Sequence, residues 1–296
     1  MTDQSTEIER LRRSFIYTPA DDRAMMEKTT ELEVDGVIFD LEDAIPDDAV
    51  PEAREEIRRV SESVDFAGKE VCTRINGPRT ESWFDDLAAV SGVVDTISLP
   101  MVESVYDLET VVRVARQVSG TTPEVIPTIE TPEGVFALRE IAEASRRLPE
   151  VTGLSFGFGD YTFAIGATGR PASIRKYLAH EIVNAAALGG LDPLFTVYQD
   201  YDDPEGLREV AQTAQELGYV GQKAIHPAQT SVINEVFTPT EEEVRQAQRF
   251  VEAFEADDRD SLTVDGVFLD TAIVNQYETV LQRDERLNEN SHEIEQ

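Results

Sequence analysis

The chain is poor in cysteine, histidine, lysine and tryptophan. Its 296 residues include one cysteine (Cys72), three histidines, one tryptophan and only four lysines: Lys28, Lys69, Lys176 and Lys223. A single cysteine excludes an intrachain disulfide. With so little histidine and cysteine, no cluster of soft ligands competes for zinc. No Ser-His-Asp or Cys-His arrangement is visible, which disfavours covalent catalysis. No apolar run approaches the roughly 18 residues of a membrane span, and the polar, charged start from Met1 to Arg13 does not read as a signal peptide. A cytoplasmic protein is expected. Positive charge is also scarce: 26 Lys and Arg stand against 59 Asp and Glu, a net charge of -33. A chain so acidic repels nucleic acid and anionic membrane. The acids are spread throughout and arginine has largely replaced lysine, as on a surface solvated in a halophile's cytoplasm, where the Debye length is about 3 Å at 1 M salt.

A regular alternation is present. Strand-like runs rich in β-branched and aromatic residues begin near Ser14, Gly36, Glu70, Thr96, Glu124, Gly153, Asp192 and Val220. Helical patterns lie between them over Asp22–Leu32, Asp48–Ser63, Glu81–Val90, Val105–Gln117, Pro132–Arg147, Ser173–Leu188 and Pro204–Leu217, with a last one over Pro227–Val236. Eight β/α units predict an α/β fold, a (β/α)8 TIM barrel over residues 14–240 whose site is built at the C-terminal strand ends. A doubly wound sheet would ordinarily show a Gly-rich phosphate turn after an early strand, and Pro19-Ala20-Asp21 is not one. Residues 1–13 read as a polar extension. Residues 241–296 read as a C-terminal helical extension and lid: a helix over Glu241–Ala256, an acidic stretch Asp257–Asp260, a short strand or turn plus helix over Val264–Leu281, and a polar tail that frays.

Several of these strand ends carry carboxylates: Asp40, Glu42 and Asp43 after strand two, Glu130 after strand five, Asp160 after strand six. A charge at the end of a buried strand costs several kcal/mol unless it is paired or bound to a cation. Glu130 and Asp160 end consecutive strands, and two carboxylates with few soft ligands nearby suit Mg2+ or Mn2+. The same residues also fit as acids at the starts of the following helices. Arg74, at the end of strand three, is placed either to hold a carboxylate or enolate oxygen or to bridge to Glu42 or Asp43, and both can hold at once. His226, at the end of strand eight, is an acid/base or polar contact, or a structural histidine. Lys223 reads as an ordinary strand lysine rather than a Schiff-base amine.

These motifs resemble the citrate lyase beta subunit and malyl-CoA lyase family, in a haloarchaeal-type member. The resemblance runs from about Arg13 to Asp270. It rests on Arg13-Ser14-Phe15-Ile16-Tyr17-Thr18-Pro19, Phe39-Asp40-Leu41-Glu42-Asp43-Ala44, Arg74-Ile75-Asn76-Gly77, Ile129-Glu130-Thr131-Pro132-Glu133-Gly134, Gly157-Phe158-Gly159-Asp160, Ala224-Ile225-His226-Pro227 and Val236-Phe237-Thr238-Pro239. It implies an Mg2+-binding barrel that makes or breaks a carbon–carbon bond in a 3-hydroxyacyl-CoA thioester. Glu130 and Asp160 are then the metal ligands, with Gly159 beside them in the substrate site. Arg74 holds the substrate oxygens, and Glu42 and Asp43 orient that arginine and the metal waters, which leaves Asp40 a structural role. Tyr17, Lys28, Ile225 and His226 match positions that contact the thioester or CoA. Asp270 resembles the acid of a C-terminal lid that reaches a neighbouring subunit's site, implying a homotrimer or homohexamer.

There are two departures from the family pattern. Asp22 stands where several CoA-specific members carry arginine, with Arg23 next to it, and Met101 replaces a lysine common after the proline of strand four. The implied reaction is reversible cleavage of L-malyl-CoA or beta-methylmalyl-CoA to glyoxylate plus acetyl-CoA or propionyl-CoA. Alternatives are a citramalyl-CoA or citryl thioester lyase, a malyl-CoA thioesterase, a CoA-independent 4-hydroxy-2-oxoacid aldolase, and a non-catalytic ligand-binding subunit.

Overall fold

The computed structural model describes residues 10–257 and 259–294. Residues 1–9 of the expected extension, Asp258 of the acidic stretch and the last two residues lie outside these bounds. Residues Arg12–Phe237 form one compact unit, and the segment from Thr238 onward belongs to a second.

The first unit is a closed parallel barrel. Its strands are β1 (Ser14–Pro19), β2 (Gly36–Asp40), β3 (Glu70–Arg74), β4 (Thr96–Leu99), β5 (Glu124–Ile129), β6 (Gly153–Phe156), β7 (Asp192–Phe195) and β8 (Gly221–Ala224), each paired with its sequence neighbour. β1 closes the ring on β8 with Phe15 beside Lys223. The strands are buried on both faces, so they read as nearly continuous apolar runs. Around them lie α1 (Arg23–Lys28), α2 (Val50–Ser63), α3 (Trp83–Val90), α4 (Val105–Ser119), α5 (Pro132–Glu143), α6 (Phe158–Ala164), α7 (Ala172–Gly189), α8 (Pro204–Leu217) and α9 (Pro227–Phe237). Local chemistry sets their starts: Asp22, Thr131 and Asp203 accept from the backbone of their first turns, and Ser104 closes a capping box with Asp107. The short α6, directly after the Gly157 turn, is the helix that sequence periodicity did not anticipate, since seven residues carry too little pattern to register.

The barrel interior is layered. Phe15, Cys72, Ile126 and Leu194, from the odd strands, pack with Ile38 into one apolar cluster. Gly36 is glycine because a Cβ there would lie 2.3 Å from the Phe15 ring. Below this cluster, at the N-terminal strand ends, Arg12 donates to both oxygens of buried Glu70, each at 2.9 Å, to Asp192 at 3.1 Å, to Thr152 at 3.2 Å and to Glu124. Thr96 donates to Glu70 as well. One cation thus ties together strands β3, β5 and β7.

The second unit holds α10 (Glu241–Glu255), started by a Thr240–Glu243 capping box, an antiparallel pair β9 (Ser261–Val264) and β10 (Val267–Asp270), and α11 (Thr271–Ile294). Phe250, Leu269 and Val274 form its core. Asp265 and Gly266 make the hairpin turn with positive φ (51° and 83°), the conformation a two-residue hairpin turn needs. The helix α11 runs through the polar stretch expected to fray; helix-forming residues and the Arg286–Glu289 pair at 2.8 Å support its later turns.

Candidate active site

Strand register brings the first group together. Asp40 and Arg74 are paired partners on β2 and β3. Arg74 donates from Nε to Asp40 Oδ1 at 2.7 Å and from Nη2 to Asp40 Oδ2 at 2.5 Å, a two-point fork. Its Nη1 lies 2.9 Å from Glu42 Oε2 and 3.1 Å from Asp43 Oδ2. The structural role expected for Asp40 is thereby sharpened: Asp40, only 1 % exposed, makes the two-point contact, and Glu42 and Asp43 add to it. The guanidinium lies over the Tyr17 ring, 4.9 Å from its centroid. Burial raises the Tyr17 phenol well above its ordinary range, and Arg74 only partly offsets this. Burial likewise pushes Glu42 up to about 8 against the pull of Arg74.

The second group centres on Glu130, 5 % exposed. It does not cap α5: Thr131 does, accepting from the Gly134 amide at 3.1 Å. Glu130 Oε2 instead accepts from the Met101 amide at 2.9 Å. Met101 stands at φ 55°, a left-handed conformation uncommon outside glycine, and this strained turn aims its N–H at the carboxylate. A Cβ at Gly157 would lie 2.2 Å from Glu130 Oε1, so only glycine leaves room for the side chain. Asp160 sits in the first turn of α6, whose N-cap is Gly157. Burial pushes the Glu130 pKa up to about 7; the Met101 amide draws it down, and the neighbouring charge of Asp160 raises it further. Among the described residues, no arginine or lysine forms an ion pair with Glu130 or Asp160.

These two carboxylates meet the requirement of a hard divalent ion. No group of three or more candidate ligands exists among the described residues, which excludes a closed protein cage there but suits Mg2+. That ion commonly takes one or two carboxylates and keeps waters or substrate oxygens for its other positions. Two neighbouring acids that form no ion pair among the described residues, one of them buried and feeling Arg74 and Lys223 only at longer range, fit such a guest.

At the end of β8, Gln229 Oε1 accepts from the amides of Ile225 (2.9 Å) and His226 (3.2 Å), and its amide group donates to the Tyr198 carbonyl at 2.7 Å. His226 Nδ1 accepts from the Ala228 amide at 3.2 Å, which leaves Nε2 to carry the proton in the neutral ring. The ring stacks on Tyr201 with centroids 4.9 Å apart. Gly159 lies in α6, with the Arg170 guanidinium 3.2 Å from where its Cβ would be. Lys28 is exposed in the last turn of α1. Asp22 is the N-cap of α1, and Arg23 is taken by Glu27 at 2.8 Å and Glu56 at 3.8 Å. Asp270 belongs to the second unit, where its Oδ1 accepts from the Ile273 amide at 2.9 Å and starts α11.

Lys223 is not an ordinary strand lysine. It is 3 % exposed inside the barrel, its Nζ 3.4 Å from Thr128 Oγ1 and 5.9 Å from the Tyr17 ring centroid. Burial lowers its pKa to about 8, against the opposing influence of Cys72 and Glu130. Lys223 and the Met101 amide escape sequence inspection because β8 is too short to show which face is enclosed and a backbone donor leaves no residue-type signal. Gly157, between the apolar end of β6 and the acid of α6, is the one such feature with a visible trace.

The architecture and these residues define a class: a (β/α)8 enzyme with paired carboxylates beside a clamped arginine at the C-terminal rim. Residues 13–227 match the HpcH/HpaI aldolase/citrate lyase family. The chain belongs to that family, one of carbon–carbon lyases. It is 33 % identical to a (3S)-malyl-CoA thioesterase of Cereibacter sphaeroides over 83 % of this chain and 84 % of that protein. It is 30 % identical to the L-malyl-CoA/beta-methylmalyl-CoA lyase of Rhodobacter capsulatus over 93 % and 95 %. The CitE protein of Mycobacterium tuberculosis, solved with magnesium, acetoacetate and coenzyme A, superimposes with a TM-score of 0.78 at 27 % identity, covering 93 % of this chain and 98 % of that one. Among the described residues, no helix is long and apolar enough to cross a membrane.

Proposed function

We propose that the protein is an Mg2+-dependent lyase that reversibly cleaves a 3-hydroxyacyl-CoA thioester such as L-malyl-CoA or beta-methylmalyl-CoA. The products are glyoxylate and acetyl-CoA or propionyl-CoA. The observation that carries this reading is the pair Glu130 and Asp160, which form no ion pair among the described residues, beside an arginine held by three acids. Glu130 and Asp160 would hold Mg2+ or Mn2+, which when bound would supply Lewis-acid stabilisation of oxygen charge in the substrate. Arg74 orients the same oxygens and stabilises charge developing on them. Asp43, 72 % exposed at its side chain, holds Arg74 only weakly, as exposed pairs do, and yields its place to a substrate carboxylate. Loss of the hydroxyl proton to a site water lets the alkoxide collapse to the 2-oxoacid carbonyl, and the electron pair of the broken carbon–carbon bond passes into the thioester as its enolate.

Asp270, reaching a neighbouring subunit's site in a homotrimer or homohexamer, delivers the proton to the enolate carbon and removes it in condensation. Tyr17, Gly159, Ile225 and His226 line the substrate and thioester, and Lys28 meets the CoA moiety. The acidic surface adapts a cytoplasmic enzyme to high salt.

The test is an assay of malyl-CoA, methylmalyl-CoA and citramalyl-CoA at multimolar KCl with Mg2+. Glyoxylate with acetyl-CoA or propionyl-CoA supports the reading, and absence of carbon–carbon cleavage from all three removes it. A second reading, hydrolysis of the thioester, draws on the likeness to the malyl-CoA thioesterase and is marked by free malate.

A further inference from the structure

The barrel interior holds a polar layer that the rim chemistry does not use. Register places Ser98 beside Arg74 and Ile126, Ser155 beside Thr128 and Leu194, Ile38 beside Tyr17 and Cys72, and Lys223 beside Phe15. These four residues, all from even strands, form one level directly above the apolar layer. Branched apolar residues ordinarily fill such a level in a (β/α)8 barrel. Here Ser98 and Ser155 are 1 % and 0 % exposed, and neither hydroxyl oxygen has a hydrogen-bond partner among the described residues. The fourth member is an ammonium whose side chain climbs to Thr128 in the level above, at 3.4 Å, without a carboxylate in ion-pair contact among the described residues.

A buried ammonium that forms no ion pair among the described residues, with only the longer-range influence of Glu130 and Glu42, and two buried hydroxyls without partners there are each unfavourable. Three of them in one level, beneath Arg74 and Glu130, call for a guest that satisfies them together.

We propose that Lys223 is a further positioning residue of the rim site: with water held on the Ser98 and Ser155 hydroxyls, its ammonium supplies buried positive charge that draws a small 2-oxoacid carboxylate into the barrel mouth. The net charge of the chain makes such a device necessary. An anionic substrate approaches a molecule carrying -33, into a rim where Asp40, Glu42, Asp43, Glu130 and Asp160 surround Arg74. High salt screens the outer surface but reaches a buried group much less, so an enclosed cation retains its attraction where surface lysines lose theirs. This inference rests on the 2-oxoacid reading of the rim.

The experiment measures pyruvate binding to the full chain by calorimetry, with saturating Mg2+ and multimolar KCl, beside thermal melting. Lys223→Met should weaken pyruvate about tenfold, the scale of one charge acting a few ångströms away in a partly buried site. Lys223→Arg should recover most of that loss, and Ser98→Ala/Ser155→Ala should weaken pyruvate a few fold. Mg2+ affinity should stay within about threefold, and in turnover assays the Lys223 defect should fall on KM for the 2-oxoacid rather than kcat. Lys223→Gln provides a second neutral variant if the methionine disturbs packing. Folded neutral variants that bind pyruvate within twofold of the parent would overturn the proposal and leave the lyase reading intact. Failure of the parent to bind either pyruvate or glyoxylate would remove the 2-oxoacid reading, and this inference with it.

Discussion

The two ends of the barrel use the same ingredients for opposite purposes. At the N-terminal floor Arg12 meets Glu70, Glu124 and Asp192; at the C-terminal rim Arg74 meets Asp40, Glu42 and Asp43. Each is one arginine among three carboxylates. On the floor, Arg12 binds both oxygens of Glu70, and threonines fill the remaining hydrogen bonds. On the rim, two further acids, Glu130 and Asp160, stand beside the cluster with no cation of their own. A closed network stabilises the fold, and the same chemistry left short of positive charge leaves the candidate site ready for a cationic or anionic guest. The division matches the general one in this fold, where the C-terminal face carries the site and the opposite face carries stability.

The comparison can be broken most decisively at the rim. Glu130→Ala should abolish Mg2+-dependent turnover, and calorimetry showing unchanged Mg2+ affinity would remove the ligand assignment. Asp270→Asn, with its carboxylate gone but its shape kept, should lower kcat by about 10²–10⁴ while Mg2+ binds as before. Near-normal turnover would take Asp270 out of the mechanism.

Parallel changes sharpen the contrast between the two arginine clusters. Arg12→Met leaves Glu70 buried without its partner and should cost about 3–5 kcal/mol, seen as a lower denaturation midpoint, with kcat retained in the protein that stays folded. Asp40→Asn should do the reverse: kcat/KM falls about a hundredfold as Arg74 loses its aim, with a smaller change in the midpoint. Similar stability losses from both would erase the distinction.

The smallest effect is on pH dependence. Glu42, near 8, and Glu130, near 7, are raised above the value of about 4.5 at which an unfolded glutamate titrates. The folded state therefore binds more protons between those values. The stability these groups contribute is present below about 4.5 and lost as pH rises through 7 to 8. Melting temperature in chelator should decline over that window, and Mg2+ should flatten the decline. A chelated Glu42→Gln/Glu130→Gln variant with an undiminished slope would assign it to other groups.

Most of the barrel is readable in the chain because its signals are local. Strands start at Ser14, Gly36, Glu70, Thr96, Glu124, Gly153 and Asp192, where the change from polar breaker to β-branched run places them, and the eighth begins at Gly221, one residue after the expected Val220. Caps such as Asp203 and Thr240 announce their helices within four residues. Glu130, Asp160 and Arg74 are legible for the same reason, as charges standing at the ends of apolar runs. Other features have no local signal. The two-point contact of Asp40 with Arg74 depends on register between strands 34 residues apart. The Met101 amide acts through an unusual φ that no side chain advertises.

Sequence alone thus determined the eight-fold β/α alternation, the strongly acidic charge, and the identity of the rim acids, because periodicity, composition and strand-end placement are properties of neighbouring residues. Closure of the ring was left to tertiary structure, and closure decides which side chains share an enclosed level. It gave Asp40 to Arg74, left Glu130 and Asp160 without a cation, and buried Lys223 among two unpaired serines. Burial and partner choice are relations between distant segments, and they turn an ordinary set of charged residues into a site.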